Sequence, residues 1–200
     1  MARVFLLSPA HAGGKRAEFL FRPRAAFPLA RRLHAGERVP LGEIYQFLSG
    51  LYFRGKLAYA AAFGGDPGGS PGALIITPSR GLRPAETPTT LRDLRGLAEV
   101  DIHEDEPRYR RPLVRDARRL AAEVACDVVL LGSIGTAKYT EPLLAVFGDR
   151  LWFPSEFVGR GDMSRGALML RCAREGRELA YQRVAGAVTR GRRARRVAEL

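Results

Sequence analysis

The sequence predicts an α/β fold: a single three-layer domain in which a mostly parallel central sheet is flanked by helices. Two short, continuous apolar runs, ALIITP at 73–78 and DVVLLG at 127–132, are typical of strands buried on both faces, and RVFLLS at 3–8 is a third. Segments of helical composition separate these runs, and that alternation favours a parallel sheet. Because the chain has 200 residues and 46% of them are hydrophobic, it can bury one sizeable core. We expect the domain over 1–182 and a basic C-terminal tail over 183–200.

The elements of the N-terminal half follow from the apolar runs and from the glycines and prolines between them. Three prolines and a glycine in 22–40 predict an irregular stretch, and GGDPGGSPG at 64–72 predicts a flexible loop. Helical composition is interrupted at Ser49-Gly50 and again at Arg54-Gly55. In chain order we therefore expect a strand at 3–8, a helix beginning over 15–20, helices at 41–49 and 56–63, and a strand at 73–78.

The C-terminal half contains one strongly amphipathic segment, 112–125. Its apolar residues recur at spacings of three and four, with arginines on the other side, and they are Leu113, Val114, Ala117, Leu120 and Ala121. Pro142 is compatible with a helix at 137–147 only near the first turn. The expected order is a turn-rich loop at 79–88, a short helix at 91–97, a strand at 99–103, a helix at 112–125, a strand at 127–132, a helix at 137–147, a strand at 150–153, a loop at 154–162, a helix at 163–174 and an edge strand at 178–184.

The charge of the chain is strongly positive. Lys and Arg number 33 against 21 Asp and Glu, for a net charge of +12, and such a field attracts polyanions, above all nucleic acid. The tail holds six arginines and one acid, which suits either a solvated arm or contact with a nucleic-acid backbone. Only three of the basic residues are lysines, and each falls in a motif-like segment: Lys15, Lys56 and Lys138.

Several classes of protein are excluded by what the sequence lacks. It has no run of about 18 apolar residues, so we expect no membrane span and no membrane partner. The apolar start is too short for a signal peptide, which predicts a cytoplasmic protein. Cys126 and Cys172 alone supply neither a disulfide framework nor a four-ligand zinc site, so we expect no metal and no cofactor.

Four polar loops follow predicted strands, at 8–15, 77–81, 132–139 and 154–165. In open α/β sheets the ligand lies beyond the carboxyl ends of the strands, so these loops should converge on one edge. Each carries small residues, a hydroxyl and a base. The candidate ligand-binding residues in them are Ser8, Gly13, Gly14, Lys15, Ser79, Arg80, Ser133, Lys138, Phe157, Arg160, Ser164 and Arg165.

The first and third of these loops both lead into helices. Gly13, Gly14 and Lys15 form either an anion-binding cradle at a helix start or a plain tight turn. His11 is a candidate general base, or a proton donor to a leaving base, and otherwise an exposed loop histidine. In the third loop, Ser133 offers a hydroxyl and Lys138 a charge, and the structural alternative has Thr136 capping the helix.

The fourth loop, FVGRGDMSRG, is the most specific. Arg160 and Arg165 have the fork geometry that binds phosphates. Asp162 is a candidate catalytic residue that orients a water or a base amide, or else a cap for the helix near Met163. A further segment, GLYFRGK at 50–56, interleaves aromatics with Arg54 and Lys56, so that Tyr52 and Phe53 either stack on bases or belong to the core.

Two families share parts of this pattern. LLSPAHAGGKRA resembles the ISPAK opening of the YaaA-like peroxide-stress proteins, and YQFLSGLYFRGKLAYA followed by ALIITPSRGLRPAETPTTLRDL is similar to their aromatic–basic helix, strand and Ser-x-x-Gly-Leu turn. DVVLLGSIGTAKYTEPLL followed by RLWFPSEF resembles the strand–Gly–helix–strand–Pro-Ser order of uracil-DNA-glycosylase-like folds, with Phe153 in place of the glycosylase histidine. The resemblance implies an α/β domain that binds nucleic acid or a nucleobase.

Three functional hypotheses follow. The first is a nucleic-acid-binding protein that acts on a nucleobase in DNA or RNA, by N-glycosylase-like hydrolysis or base exchange, with the phosphates held by Lys15, Arg160 and Arg165 and the base near Tyr52 or Phe157. The second is a small-molecule enzyme that uses the same loops on a nucleotide or phosphorylated metabolite. The third is a non-catalytic, stress-related binding protein. An open basic groove favours the first hypothesis and a pocket the second.

Overall fold

The computed structural model describes residues 3–65 and 71–187. The strands are β1 (Arg3–Leu7), β2 (Val39–Pro40), β3 (Ala73–Thr77), β4 (Gly81–Arg83), β5 (Pro88–Thr89), β6 (Asp127–Leu131), β7 (Leu151–Pro154) and β8 (Tyr181–Arg183). The helices are α1 (Lys15–Phe21), α2 (Pro28–His34), α3 (Leu41–Ser49), α4 (Leu51–Phe63), α5 (Leu91–Ala98), α6 (Pro107–Glu123), α7 (Ala137–Phe147) and α8 (Asp162–Glu175). Short 3-10 turns occupy Gly148–Arg150 and Ser155–Phe157.

The central sheet has six strands in the order β4-β3-β1-β6-β7-β8. The inner four, β3, β1, β6 and β7, run parallel, and the edge strands β4 and β8 are antiparallel to their neighbours. The central strand β1 pairs along its whole length with β6, from Arg3 opposite Asp127 to Leu7 opposite Leu131. The mostly parallel sheet that the apolar runs predict is therefore confirmed.

Helices cover both faces of this sheet. The side chains of β1 alternate between two hydrophobic clusters, with Phe5 and Leu7 in one and Val4 and Leu6 in the other. The first cluster contains the buried residues of α1 to α5 and α8, and the second contains those of α6 and α7. The three-layer α/β domain is confirmed.

The order of the strands also places a crevice. The chain passes from β1 to β3 on one side and later returns to β6 on the other side of β1. Connections on the two sides of β1 therefore leave in opposite directions, and a crevice opens between them at the carboxyl ends of β1 and β6. In open α/β sheets this switch point is where ligands bind.

Helices α4 and α8 are in direct backbone contact. A Cβ added at Gly55 in α4 would lie 2.6 Å from the carbonyl oxygen of Gly166 in α8. A Cβ added at Gly166 would lie 2.8 Å from the carbonyl oxygen of Leu51. Only glycine leaves room for such an approach, so this pair of residues sets the distance between the two helices.

The structure differs from the predicted elements in five places. Residues 22–40 contain α2 and β2, because Pro28 occupies the first turn of a helix, where proline is favourable, and Leu29, Ala30 and Leu33 give that helix a buried face. Arg54-Gly55 does not break α4, because Gly55 is needed at the α8 contact. The predicted strand at 99–103 is wrong: Val100 packs into the core without a strand partner. The predicted loop at 79–88 contains the edge strand β4, and α6 begins at Pro107 rather than 112.

Arg183 and Val184, the first two residues of the predicted tail, make contacts with the sheet. Arg183 is the last residue of β8, and the Val184 N–H donates to the Leu151 carbonyl. Val184 itself is only 6% exposed, so it packs with the domain rather than with a tail. The rest of the arginine-rich tail, 188–200, and the centre of the predicted loop, 66–70, lie outside the described residues. No helix in 3–65 or 71–187 has the length and apolarity needed to cross a bilayer.

Helix α5 begins with a complete capping box, which allows a test of local stability. Thr90 accepts a hydrogen bond from the Asp93 N–H, and the Asp93 carboxylate accepts one from the Thr90 N–H. We expect Thr90→Ala to lower the free energy of unfolding by about 1 kcal/mol, because it removes a cap from a helix end. The matched control is Thr136→Ala, since Thr136 stands at the N-cap of α7 without a side-chain cap bond. Equal losses for both variants in urea denaturation would contradict this assignment.

Candidate functional site

A cleft of about 870 Å³ lies at the carboxyl ends of the parallel strands. All four loops that follow strands contribute to its wall. The lining residues are Ser8 to Gly13 after β1, Pro78 after β3, Ser133, Thr136, Lys138 and Tyr139 after β6, and Asp162 and Arg165 beyond β7. The remaining wall comes from α3, α4 and the segment 98–103. The loops thus meet at the switch point between β1 and β6.

The predicted site residues divide into two groups. Eight of them line the cleft: Ser8, His11, Gly13, Tyr52, Ser133, Lys138, Asp162 and Arg165. The others do not line it: Gly14, Lys15, Arg54, Lys56, Ser79, Arg80, Phe157, Arg160 and Ser164.

Physical reasons account for several residues of the second group. Phe157 is 1% exposed and belongs to the core, so it cannot stack on a base. Arg80 is engaged by the Asp93 carboxylate of α5. Arg160 is exposed and donates to the Ser164 hydroxyl at 3.2 Å. Lys15 and Arg54 are exposed to solvent outside the cleft.

Lys56 has a different role from the predicted one. It is 1% exposed, so its ammonium group cannot reach a phosphate in solvent. Its Nζ donates to the Ser8 carbonyl oxygen at 2.9 Å and lies 2.6 Å from the Ser8 Oγ. The pKa of Lys56 is lowered to about 7, and burial is the main cause. Asp162 raises this pKa and Arg165 lowers it, and both effects are smaller than that of burial. Burial thus shifts the equilibrium of this amine towards its neutral form.

Arg165 is fixed against the wall of the cleft. Its Nε and one terminal nitrogen both donate to the Phe157 carbonyl oxygen, at 3.2 and 3.0 Å, and its side chain is 14% exposed. Asp162 lies 3.6 Å from the guanidinium and is 69% exposed. Asp162 is the first residue of α8 and does not cap it, since the N-cap is Gly161. The Asp162 carboxylate therefore pairs with Arg165 and still exposes most of its surface at the cleft.

Tyr52 lines the cleft, and its hydroxyl is buried behind the cleft wall near Arg165. Tyr52 is 7% exposed, and its buried Oη has no hydrogen-bond partner of normal geometry among the described residues. Burial raises the pKa of Tyr52 to about 12, so the hydroxyl stays protonated at neutral pH. A buried polar group without a partner is unfavourable, and a bound ligand or water that accepts from it removes the cost. The Tyr52 ring also lies 3.8 Å from Lys56 Nζ, measured to the ring centroid.

The start of α7 forms the opposite side of the cleft. Thr136 has extended backbone and no side-chain cap bond, and the Ser133 hydroxyl accepts from the Gly135 N–H at 3.3 Å. The Tyr109 hydroxyl of α6 donates to the Lys138 carbonyl at 2.8 Å and fixes this first turn. The positive end of the helix and the Lys138 side chain therefore border the cleft together.

The segment 98–103 is the part of the site that sequence reasoning missed. Asp101 and His103 line the cleft and are exposed. The sequence predicted a strand over these residues, and neither side chain belongs to a sequence motif that would have marked it as part of a site. The cleft wall carries acids, bases and histidines together, but no cluster of three metal-ligating side chains occurs in the part of the chain that the structure describes.

Comparison of the whole chain with known proteins gave no match. No protein-family model, no curated protein and no solved structure shows significant similarity to this chain. The resemblance to YaaA-like and glycosylase-like proteins therefore stays a prediction, and the functional argument depends on the geometry of the cleft.

Proposed function

We propose that the protein is an enzyme that binds a nucleotide or a similar phosphorylated metabolite in this cleft. The observation that carries the proposal is the meeting of four strand-end loops around one cleft of nucleotide size. Small-molecule sites have volumes of roughly 300–1,000 Å³, and the cleft at about 870 Å³ lies in that range.

The charges on the wall support a small ligand with both anionic and neutral polar parts. Lys138, Arg165 and the first turn of α7 offer positive charge to a phosphate. Asp101 and Asp162 offer acceptors for the hydroxyl or amino groups of a sugar or base. A polyphosphate backbone alone would gain nothing from two carboxylates, so this mixture favours a nucleotide-like compound.

Tyr52 supplies a third element of recognition. Its hydroxyl is a buried donor or acceptor that lacks a partner within the described chain. A site built to bond a ligand group discriminates strongly against compounds that lack it. Tyr52→Phe keeps the aromatic ring and removes this single group, which makes it a sharp probe.

Nucleic-acid binding is a second candidate, and the charge favours it. The net charge is +12, and Lys15, Arg54 and Arg160 are exposed outside the cleft. In that case the cleft receives one nucleotide unit while the outer cations hold the neighbouring phosphates. Binding by this route weakens steeply as salt increases, because counterions are released from the polymer.

Thermal unfolding in the presence of ligands tests both candidates. We expect a nucleoside phosphate at 100 times its dissociation constant to add about 2.7 kcal/mol, or about 5–10 °C in Tm. Lys138→Ala and Tyr52→Phe should each reduce the affinity at least about tenfold, whereas Lys15→Ala should not. No shift with any nucleoside phosphate, or an affinity unaltered in both cleft variants, contradicts the proposal. A larger, salt-sensitive shift with a short oligonucleotide that Arg54→Ala and Arg160→Ala weaken selects the second candidate.

A further inference from the structure

Ser8 and Lys56 form a pair that ligand binding alone does not explain. Ser8 is the first residue after β1, lines the cleft and is 5% exposed. Lys56 projects from α4 beneath it and is 1% exposed. Their side chains approach to 2.6 Å between Nζ and Oγ. Ser8 lines the cleft and Lys56 does not, so the serine is the member of the pair that a ligand meets first.

We propose that Ser8 is a nucleophile activated by Lys56 as its general base, and that it attacks the carbonyl carbon of a carboxylic ester or amide carried by the ligand of the cleft. The inference rests on the proposed function for the choice of ligand. The pair itself is defined by geometry that is independent of which phosphorylated compound binds.

The surroundings of the amine favour its role as a base. No carboxylate in 3–65 or 71–187 lies within ion-pair distance of Nζ; its neighbours are the rings of Tyr52 and Phe53 at 3.8 and 5.7 Å from their centroids. The charged groups that act on it from α8 are Arg165, which disfavours the ammonium form, and Asp162, which favours it. Desolvation outweighs both and leaves a neutral amine accessible near pH 7.

The surroundings of the hydroxyl are equally restricted. A Cβ added at Gly132, the residue after β6, would lie 2.9 Å from the Ser8 Cβ and 3.1 Å from its Oγ. The missing side chain therefore creates the space in which Ser8 sits. Its backbone is held from both sides, because the Ser8 N–H donates to the Leu131 carbonyl and the Ser8 carbonyl accepts from Lys56. A nucleophile held in one position is what efficient attack requires.

Proton transfer between Ser8 and Lys56 accompanies each bond change in the proposed reaction. The Ser8 Oγ forms a bond to the carbonyl carbon while its proton passes to the neutral Lys56 amine, and the carbonyl electron pair moves to oxygen. When the tetrahedral centre collapses, the bond to the leaving alcohol or amine breaks and Lys56 returns the proton to it. Water, deprotonated by the same amine, then attacks the acyl carbon; the bond from that carbon to Ser8 Oγ breaks, Lys56 returns the proton to the serine, and the carboxylic acid leaves. His11, Ala12 and Gly13 line the cleft, and no described carbonyl accepts from their N–H groups, so we assign the negative oxygen to these donors as part of the proposal.

A fluorophosphonate probe tests the nucleophile directly. Attack by Ser8 forms an Oγ–P bond, expels fluoride and transfers the serine proton to Lys56, so mass spectrometry should place one adduct on the peptide that contains Ser8. Ser8→Ala should abolish the adduct, and Lys56→Met should slow labelling at least about 100-fold. The exposed serine variant Ser164→Ala should label as the wild type does. In the wild type, the rate should rise with pH and level off above an apparent pKa near 7.

The outcomes separate this inference from the proposed function. No adduct, an adduct on another residue, or a rate at Ser8 that Lys56→Met leaves unchanged overturns the inference. If Lys56→Met does not fold, the pH profile of the wild type decides, because a rate independent of pH between 5 and 9 also overturns it. Ser8→Ala should still bind the nucleoside phosphate. Labelling without nucleotide binding refutes the proposed ligand alone, and binding without labelling refutes the nucleophile alone.

Discussion

Replacing Gly55 with alanine should destabilise the protein by an amount near the upper end of about 1–3 kcal/mol. The new Cβ would lie 2.6 Å from the Gly166 carbonyl oxygen, which is backbone and cannot rotate away. The α4 and α8 helices would have to separate, and the core residues packed between them would lose contacts. Gly166→Ala should act in the same way, since its Cβ would meet the Leu51 carbonyl at 2.8 Å.

Gly96→Ala is the matched control for the helix contact. Gly96 lies within α5, and a Cβ added there meets nothing within 4 Å. Alanine favours helix over glycine, so this variant should gain about 0.5–1 kcal/mol. Thermal unfolding should show a fall of roughly 6–12 °C for Gly55→Ala and a small rise for Gly96→Ala. A Tm for Gly55→Ala equal to that of the wild type would show that the helices are not in contact.

The second large effect is a dependence of stability on pH that Lys56 introduces. Its pKa is about 7 in the folded protein and 10.5 in the unfolded chain. Below pH 7 both states hold the proton, and the cost of burying the charge is fully present. Between the two values the unfolded state holds the proton and the folded state does not, so the free energy of unfolding rises with pH. One proton contributes at most about 1.4 kcal/mol per pH unit.

Comparison with Lys56→Met isolates this contribution, because every other titrating group is common to the two proteins. Urea denaturation should show the wild type gaining up to about 3 kcal/mol on the variant between pH 7 and pH 9. At pH 6 the free energy of unfolding of the variant should be highest relative to that of the wild type. At this pH the wild type carries a buried ammonium group, and the variant does not. Parallel stability curves across this range would mean that Lys56 keeps its ordinary pKa.

The sheet could be predicted from the sequence because its inner strands are apolar on both faces. The runs that became β1, β3 and β6 need no partner to be recognised. The errors came from segments in which tertiary contacts outweigh local composition. Glycine at position 55 predicts a helix break from local composition, and only the contact with α8 explains why it lies inside a helix. The three residues of β4 are too few for a pattern of alternation that would predict a strand.

The sequence predicted where the site lies in the fold, but not which side chains contact one another there. Loops after parallel strands meet at one sheet edge by geometry, which brings Ser8, Ser133 and Asp162 to the same cleft. The bond between Lys56 and Ser8 joins positions 48 apart. Whether Lys56 faces the sheet or solvent depends on how α4 lies against α8, and its sequence neighbours Arg54 and Leu57 give no indication of this.

The reactive pair and one of the loops that line the cleft belong to different elements of the fold, which matters for protein engineering. Ser8 and Lys56 are anchored by β1 and α4. Ser133 to Thr136 belong to the connection between β6 and α7, and neither Ser8 nor Lys56 makes a hydrogen bond to these four residues. Gly132 must stay, because a Cβ there would meet Ser8, but the residues from Ser133 to Thr136 can be exchanged without removing a contact of the reactive pair that the structure shows. Selectivity for new compounds is therefore open to loop grafting, one segment at a time, on a scaffold whose inner strands stay unchanged.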